Sequence, residues 1–317
     1  MGNLGKVGII GLSHVGAHVA DALLSHGTVE ELRFCDLDTK LSRAQANDMQ
    51  DAMPYYPHRA RVIDCGCEYE RLAGCDVIVN AAGHVAASKV NRDAENLLTP
   101  AEVATFAPRI MAAGFDGVWV SIANPCDVVT LELQKQTGMD PRRIIGSGTA
   151  LDSSRLRHAL ADATGYDPAS VNAWMLGEHG FSEFACFSHA AIGCLTLDEV
   201  EAQAGIALDR AAIEEQATHG GYITMQGKFC TEYSVANASA KIVEAVLADT
   251  KLVTPVSTLV EDAYGVSGIY SSLPCVIGSE GVEQVFVPEL SEAEIEKWHA
   301  TCEHIAANVA AFEASKK

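Results

Sequence analysis

Three short stretches gather the residues able to do chemistry. Leu151-Asp152-Ser153-Ser154-Arg155-Leu156-Arg157 sets a carboxylate three residues before an arginine. Gly177-Glu178-His179-Gly180 sets a histidine between glycines, and Val90-Asn91-Arg92-Asp93 adds an arginine in a loop. At a helix start, Asp152 and Arg155 share one face. That spacing lets the carboxylate reach a histidine while the guanidinium reaches an anion. An arginine fork pairs bidentately with a carboxylate. A histidine moves protons near neutrality, and an acid beside it fixes its tautomer and favours the imidazolium. Such a set suits reduction of a carbonyl next to a carboxylate. That reaction needs a cation for the carboxylate, a donor to polarise the carbonyl, an acid, and a hydride source. Singly, each residue has a plainer reading: a helix cap, a solvated arginine, a loop histidine.

The hydride source has its own signature. Gly8-Ile9-Ile10-Gly11-Leu12-Ser13-His14-Val15-Gly16 is nearly G-x-G-x-x-G, with Ser13 at the middle glycine. Gly11 bends the turn, and Gly16 lets the following helix pack close to the strand. The pyrophosphate of a dinucleotide would sit on the free N–H groups of that helix. Ser13 brings a side chain to where backbone should approach phosphate. Asp36, twenty residues after Gly16, ends the next apolar run; a carboxylate there accepts ribose hydroxyls and repels a 2′-phosphate, which favours NAD over NADP.

These residues need elements to hold them. Lys6–Leu12, Glu31–Cys35, Asp76–Ala82, Gly117–Ile122 and Arg143–Gly146 read as strands, and Val15–Leu24 as a helix. Thr99-Pro100-Ala101-Glu102 reads as a capping box with proline in the first turn, which predicts a helix from there to about Gly114. This alternation predicts an α/β fold, a Rossmann-type doubly wound parallel sheet, over residues 1–150. Residues 151–317 read as an α+β substrate domain. Helices are expected at Ser153–Thr164, Ala211–Met225 and Ala236–Leu247, with strands at Ser170–Leu176 and Phe184–Gly193. Thr196-Leu197-Asp198-Glu199 and Ser291-Glu292-Ala293-Glu294 are capping boxes for a short and a long helix.

Taken together, GIIGLSHVG, the strand ending at Asp36, VNAAG, SIANPCDV, IIGSGTALDSSRLR and LGEHGFSE resemble the L-lactate/malate dehydrogenase superfamily along nearly the whole chain. The stretches from Gln50-Asp51-Ala52-Met53, from Gly114-Phe115, and from Gly227-Lys228 through Thr231-Glu232-Tyr233 to Val235-Ala236 are most similar to its L-2-hydroxyisocaproate dehydrogenases. The resemblance implies that His179 gives and takes the proton, Asp152 orients it, and Arg155 clamps the substrate carboxylate. It implies that Arg92 polarises the carbonyl from a closing loop, that Asn124 holds the substrate oxygen and the nicotinamide end, and that Thr231 lines the pocket. Gly221 and Val235 complete the expected pocket. The expected cofactor residues are Gly11, Ser13, His14, Val15, Gly16, Asp36, Ala82, Gly83 and Asn124. A homodimer or homotetramer is implied, with NAD as cofactor and no metal.

The loop His84–Asn91 reads HVAASKVN. It lacks the further arginine that malate dehydrogenases use for a second carboxylate, though Lys89 stands there. Ala86, Ala87, Ser88 and Gly221 are small walls, which predicts a 2-oxo acid with a bulky side chain over pyruvate. Asn172 stands where enzymes activated by fructose bisphosphate carry a histidine, so no strong activation is expected.

The 317 residues carry a net charge of −20, which disfavours nucleic acid and anionic membranes as partners. The ten cysteines include no C-x-x-C, and no apolar run is long enough to span a bilayer. A reduced, cytoplasmic setting is expected. Two rivals stand beside this reading. One is a metal-assisted NAD glycosidase, opposed by the lack of a Cys/His cluster near His179. The other is a degenerate binding module, opposed by the presence of every catalytic residue type.

Overall fold

The computed structural model describes residues 4–83, 92–228 and 230–316, with the side chains of 92–96 excepted. The apolar runs of the first half become six parallel strands: β1 (Gly5–Ile10), β2 (Val29–Cys35), β3 (Arg61–Asp64), β4 (Val77–Asn80), β5 (Val118–Ser121) and β6 (Ile144–Gly146). Their order in the sheet is β3-β2-β1-β4-β5-β6. The order reverses between β1 and β4, the switch point at which such sheets bind ligands beyond the strands' carboxyl ends. Val77–Asn80 and Val118–Ser121 are wholly buried because helices cover both faces.

Helices α1 (His14–His26), α2 (Thr39–Ala52) and α8 (Tyr233–Ala248) pack on one face through Val19, Leu23, Ala46, Ala240 and Val243. Helices α3 (Arg92–Ala112) and α4 (Cys126–Thr137) pack on the other through Phe106, Ile110, Val129 and Leu133 around Trp119. The start of α3 corrects the expected cap at Thr99. The helix runs from Arg92, and Pro100 and Pro108 lie inside it. Each proline removes one backbone donor. Burial of Val103, Phe106, Ala107 and Ile110 offsets that loss.

The second half is built around α5 (Ala150–Thr164), α6 (Leu197–Ala204), α7 (Arg210–Lys228) and α9 (Glu292–Ser315). Both predicted capping boxes form, Thr196 with Glu199 and Ser291 with Glu294. The two strands expected at 170–193 break into two-residue pieces, β7 (Val171–Asn172), β8 (Met175–Leu176), β9 (Phe184–Ala185) and β10 (Ala191–Ile192), followed by β11 (Leu195–Thr196). The loop carrying His179 interrupts them.

Three further strands, β12 (Leu252–Leu259), β13 (Tyr270–Gly278) and β14 (Gly281–Val285), have no counterpart in the sequence reading. They join the main sheet antiparallel at β6, giving the order β14-β13-β12-β6-β5-β4-β1-β2-β3. Pro255 opposes Pro274 in this ladder, so the two missing donors sit at a single pair. No helix among the described residues is long and apolar enough to cross a membrane.

Candidate active site

The cofactor candidates Gly11, Ser13, His14, Val15, Gly16, Asp36, Ala82 and Gly83 lie at or just after the carboxyl ends of β1, β2 and β4. The turn after β1 is set by its glycines. Gly11 has φ +85°, and a Cβ there would stand 2.7 Å from the Ala81 backbone. A Cβ on Gly16 would lie 1.8 Å from the Gly11 carbonyl oxygen, so α1 approaches β1 as closely as backbone permits. Ser13 precedes α1 but its side chain does not cap it. His14 and Val15 open the helix, and His14 Nδ1 lies 2.7 Å from Glu232. Asp36 is held at the end of β2 by N–H donation from Leu12 at 2.7 Å and from Asp38 at 2.8 Å. Ala82 and Gly83 follow β4, and the Ala82 N–H donates to Asn80. Uncapped helix N–H groups beside a fixed carboxylate suit a pyrophosphate joined to a ribose.

The catalytic candidates converge. Asp152 lies in the first turn of α5, where the helix dipole favours a carboxylate. It is buried and accepts from Arg155 Nη1 at 2.7 Å, while its other oxygen lies 2.6 Å from His179 Nδ1. The loop after β8 holds His179 from behind. The His179 backbone N–H donates to Asp127 at 3.1 Å, and Glu178 N–H donates to Thr301 of α9 at 2.9 Å. Ser153 and Thr149 tie the α5 start to Met175 of β8. Two elements far apart in sequence are thus pinned at hydrogen-bond distance.

The electrostatics follow from burial and partners. Burial opposes the His179 imidazolium, but the charge and hydrogen bond of Asp152 outweigh it, with Asp127 adding to them, and the His179 pKa is raised. Burial likewise pushes Asp152 up, and His179 and Arg155 pull it below its ordinary value. Burial drives Asp127 to about 7, against the hydrogen bond from Ser257. Neither Asp127 nor Glu183 was singled out in the sequence. Asp127 follows the Asn124–Pro125 pair, joined by a cis bond, and Glu183 stands four residues after His179. An acid that near a candidate catalytic histidine was the available signal.

His179, Asp152 and Arg155 open on a cavity of about 400 Å³ that Asn124, Thr231 and Gly221 also line. Phe181, Tyr222, Met225 and Leu151 give it an apolar side, and Phe181 stacks on Tyr222 with centroids 5.5 Å apart. The space at Gly221 is partly taken by Arg155: a Cβ there would stand 3.1 Å from the guanidinium. Val235 packs on the core beneath α8 rather than on this cavity. Arg92 is the first residue of α3; its side chain, with the loop 84–91 and Lys89, lies outside the described residues. Asp152, His179 and Glu183 bring potential metal-ligand atoms within 4.8 Å of one another, as do His14, Cys230 and Glu232. In each group a short histidine–carboxylate hydrogen bond already occupies two of the three.

Comparison with known proteins matches both halves. Residues 5–146 match the lactate/malate dehydrogenase NAD binding domain, and residues 149–315 match the lactate/malate dehydrogenase alpha/beta C-terminal domain. The chain belongs to the lactate/malate dehydrogenase family. It is 35% identical over 303 residues to the L-lactate dehydrogenase of Fusobacterium nucleatum, covering 94% of this chain and 93% of that one. It is 36% identical over 294 residues to the L-lactate dehydrogenase of Thermus aquaticus, covering 91% and 93%. Among solved structures, it superposes on a minor L-lactate dehydrogenase from Enterococcus mundtii with a TM-score of 0.93 at 26% identity, covering 97% and 98%. A lactate dehydrogenase from a Medee basin deep-sea metagenome library gives 0.91 at 27%, covering 99% and 100%. This lactate/malate dehydrogenase family member is an NAD-dependent oxidoreductase of the L-lactate dehydrogenase type, acting on 2-hydroxy acids. The turn from Gly11 to Gly16 and Asp36 fit its dinucleotide.

Proposed function

We propose that the enzyme interconverts a 2-oxo acid carrying a bulky apolar side chain and its L-2-hydroxy acid. The observation that carries this is the Arg155–Asp152–His179 chain opening on a cavity with an aromatic and aliphatic side. Arg155 clamps the substrate carboxylate with the part of its fork that Asp152 leaves free. His179 Nε2 gives the carbonyl oxygen its proton, and Asp152 holds the tautomer through Nδ1. Asn124 orients the substrate oxygen, and Arg92 polarises the carbonyl. The NAD nicotinamide supplies or accepts the hydride. Phe181, Tyr222, Met225 and Leu151 offer apolar surface to a branched or aromatic side chain, and Thr231 bounds it. The binding-module rival is opposed by the described triad, which retains working distances.

Pyruvate is the second reading, favoured by relatives that are named L-lactate dehydrogenases. Loss of NADH absorbance with equal concentrations of pyruvate, 2-oxoisocaproate, phenylpyruvate and oxaloacetate decides between them. The proposal expects the bulky acids to have the highest kcat/KM; far higher efficiency with pyruvate discards the side-chain assignment. His179→Asn should remove turnover while sparing NADH binding, and surviving turnover discards the proton donor. The assembly proposed is a homodimer or homotetramer, measurable by sedimentation. A cytoplasmic setting is proposed as well, where the exposed thiols of Cys67 and Cys194 would stay reduced.

A further inference from the structure

Among the described residues, four carboxyl groups stand near Arg155 and His179, and three of them have donors. Asp127 accepts from the His179 N–H and from Ser257 at 2.5 Å. Glu178 accepts from Ser182 at 2.5 Å and from Asn308 at 3.4 Å. Asp152 accepts from Arg155 and pairs with His179. Glu183 differs. It is only 6% exposed, and neither of its oxygens meets a donor among the described residues. The group beside it is another carboxyl, that of Asp152. The two lie within 4.8 Å of each other and of a His179 ring nitrogen.

Two bare carboxylates repel, whereas two that share a proton make a short, strong bond. We propose that Glu183 is a positioning residue that keeps its proton and donates it to Asp152, extending the His179–Asp152 pair into a three-membered chain. This rests on the reading of His179 as proton donor. Burial disfavours the Glu183 anion, and the charge and hydrogen bond of Asp152 add to that, so its pKa lies well above the ordinary value. Arg155 pulls the other way, but its Nη1 is committed to Asp152. Among the described residues, the other charged groups near this corner are Glu178 and His179 from the loop after β8, Asp127 from α4, Glu214 from α7, whose carboxylate takes the Ala185 N–H and pairs with Lys297, and His304 from α9, 3.5 Å from Glu178.

The chain has a definite effect on the reaction. A donor behind Asp152 draws negative charge away from the face turned to His179. The imidazolium is then held less tightly than by an unassisted carboxylate, and its proton leaves more readily for the substrate. Each bond of the chain also fixes the next carboxyl plane, so the imidazole ring is oriented from two residues away.

Two measurements on the intact enzyme test this. The first is the infrared difference spectrum, wild type minus Glu183→Gln, at neutral pH. A protonated-carboxyl C=O band present in wild type and lost in the variant is expected; a difference showing only an ionised carboxylate overturns the proposal. The second is the pH profile of kcat/KM for 2-oxo acid reduction. The amide introduced by Glu183→Gln is neutral and keeps a donor for Asp152, so the His179 limb should move by less than about 0.3 unit. A fall of about one unit or more would mean that a negative charge had been removed, which overturns the proposal. Glu183→Leu removes the donor, and its limb should rise by about half a unit or more; an unmoved limb counts against the chain. If Glu183→Leu does not fold, the Glu183→Gln variant and the infrared band still decide. If His179→Asn retains the limb, the proton-donor reading fails, while the infrared band still reports on Glu183.

Discussion

Replacing Asp152 by asparagine is the sharpest test of the proposed proton transfer. Asp152 is buried, accepts from Arg155 at 2.7 Å and lies 2.6 Å from His179 Nδ1. The amide has nearly the same shape but no charge. An anion at contact distance is worth about one to three pKa units to a neighbouring imidazolium, and each unit is about 1.4 kcal/mol. The His179 pKa is raised in the native site, largely because the charge of Asp152 outweighs burial. Taking a loss of about two units, the imidazolium fraction at neutral pH falls about 10- to 100-fold. The asparagine N–H can also face Nδ1 and enforce the neutral tautomer. Steady-state reduction of the best 2-oxo acid should therefore lose about one to two orders of magnitude in kcat/KM at neutral pH. The deficit should shrink about tenfold or more at mildly acidic pH, where the imidazolium returns. Oxidation of the hydroxy acid uses the neutral imidazole as base, so its deficit should be smaller. An equal deficit at both pH values, or a parallel loss of NADH affinity measured by fluorescence, would refute the reasoning, because either would mean that Asp152 acts through folding alone.

Three other substitutions probe the framework. Gly16→Ala places a Cβ 1.8 Å from the Gly11 carbonyl, a backbone atom that cannot step aside; calorimetry should show a loss of about 1–3 kcal/mol, with weaker NADH binding as α1 withdraws from β1. Asp36→Ala removes the carboxylate that the Leu12 and Asp38 N–H groups hold at the proposed ribose position, and the ratio of NADPH to NADH efficiency should rise about tenfold or more. Asp127, buried, titrates at about 7 rather than 3.8, so the native state keeps a proton that the unfolded chain releases between these values. Its contribution to stability therefore declines as pH rises through that window, by up to about 1.4 kcal/mol per unit. Asp127→Asn does not titrate, and melting curves should show its stability relative to wild type improving from mildly acidic to slightly alkaline pH.

Much of the fold was legible because local chemistry and global architecture agree. The glycine turn, Asp36 and the alternation of apolar runs specify parallel strands that only crossover helices can join. Two capping boxes marked helix starts correctly, whereas Thr99-Pro100-Ala101-Glu102 misled: it has the residues of a cap, but packing of Val103, Phe106 and Ile110 carries the helix through the proline. Strands β12 and β13 were not read because Pro255 and Pro274 argue against strands, and only their mutual opposition makes them tolerable. Asp152, Arg155 and His179 could be paired by spacing and residue type. Asp127 and Glu183 could not, since their roles depend on burial and on partners distant in the chain. The sequence reading of Gly221 as open space missed that Arg155 fills part of it.

The antiparallel continuation of the sheet has a consequence for any attempt to divide the chain. Strand β6 is three residues long, and Gly146 meets Ser257 of β12 across its outer edge. A fragment ending near residue 148 would present that edge to solvent as a row of unpaired backbone groups flanked by apolar surface, a template for self-association. It would also lose α8, whose Ala236, Ala240 and Val243 roof one face of the parallel strands. The nucleotide half is therefore an open frame closed by its own downstream chain, and expressed alone it should precipitate instead of binding dinucleotide.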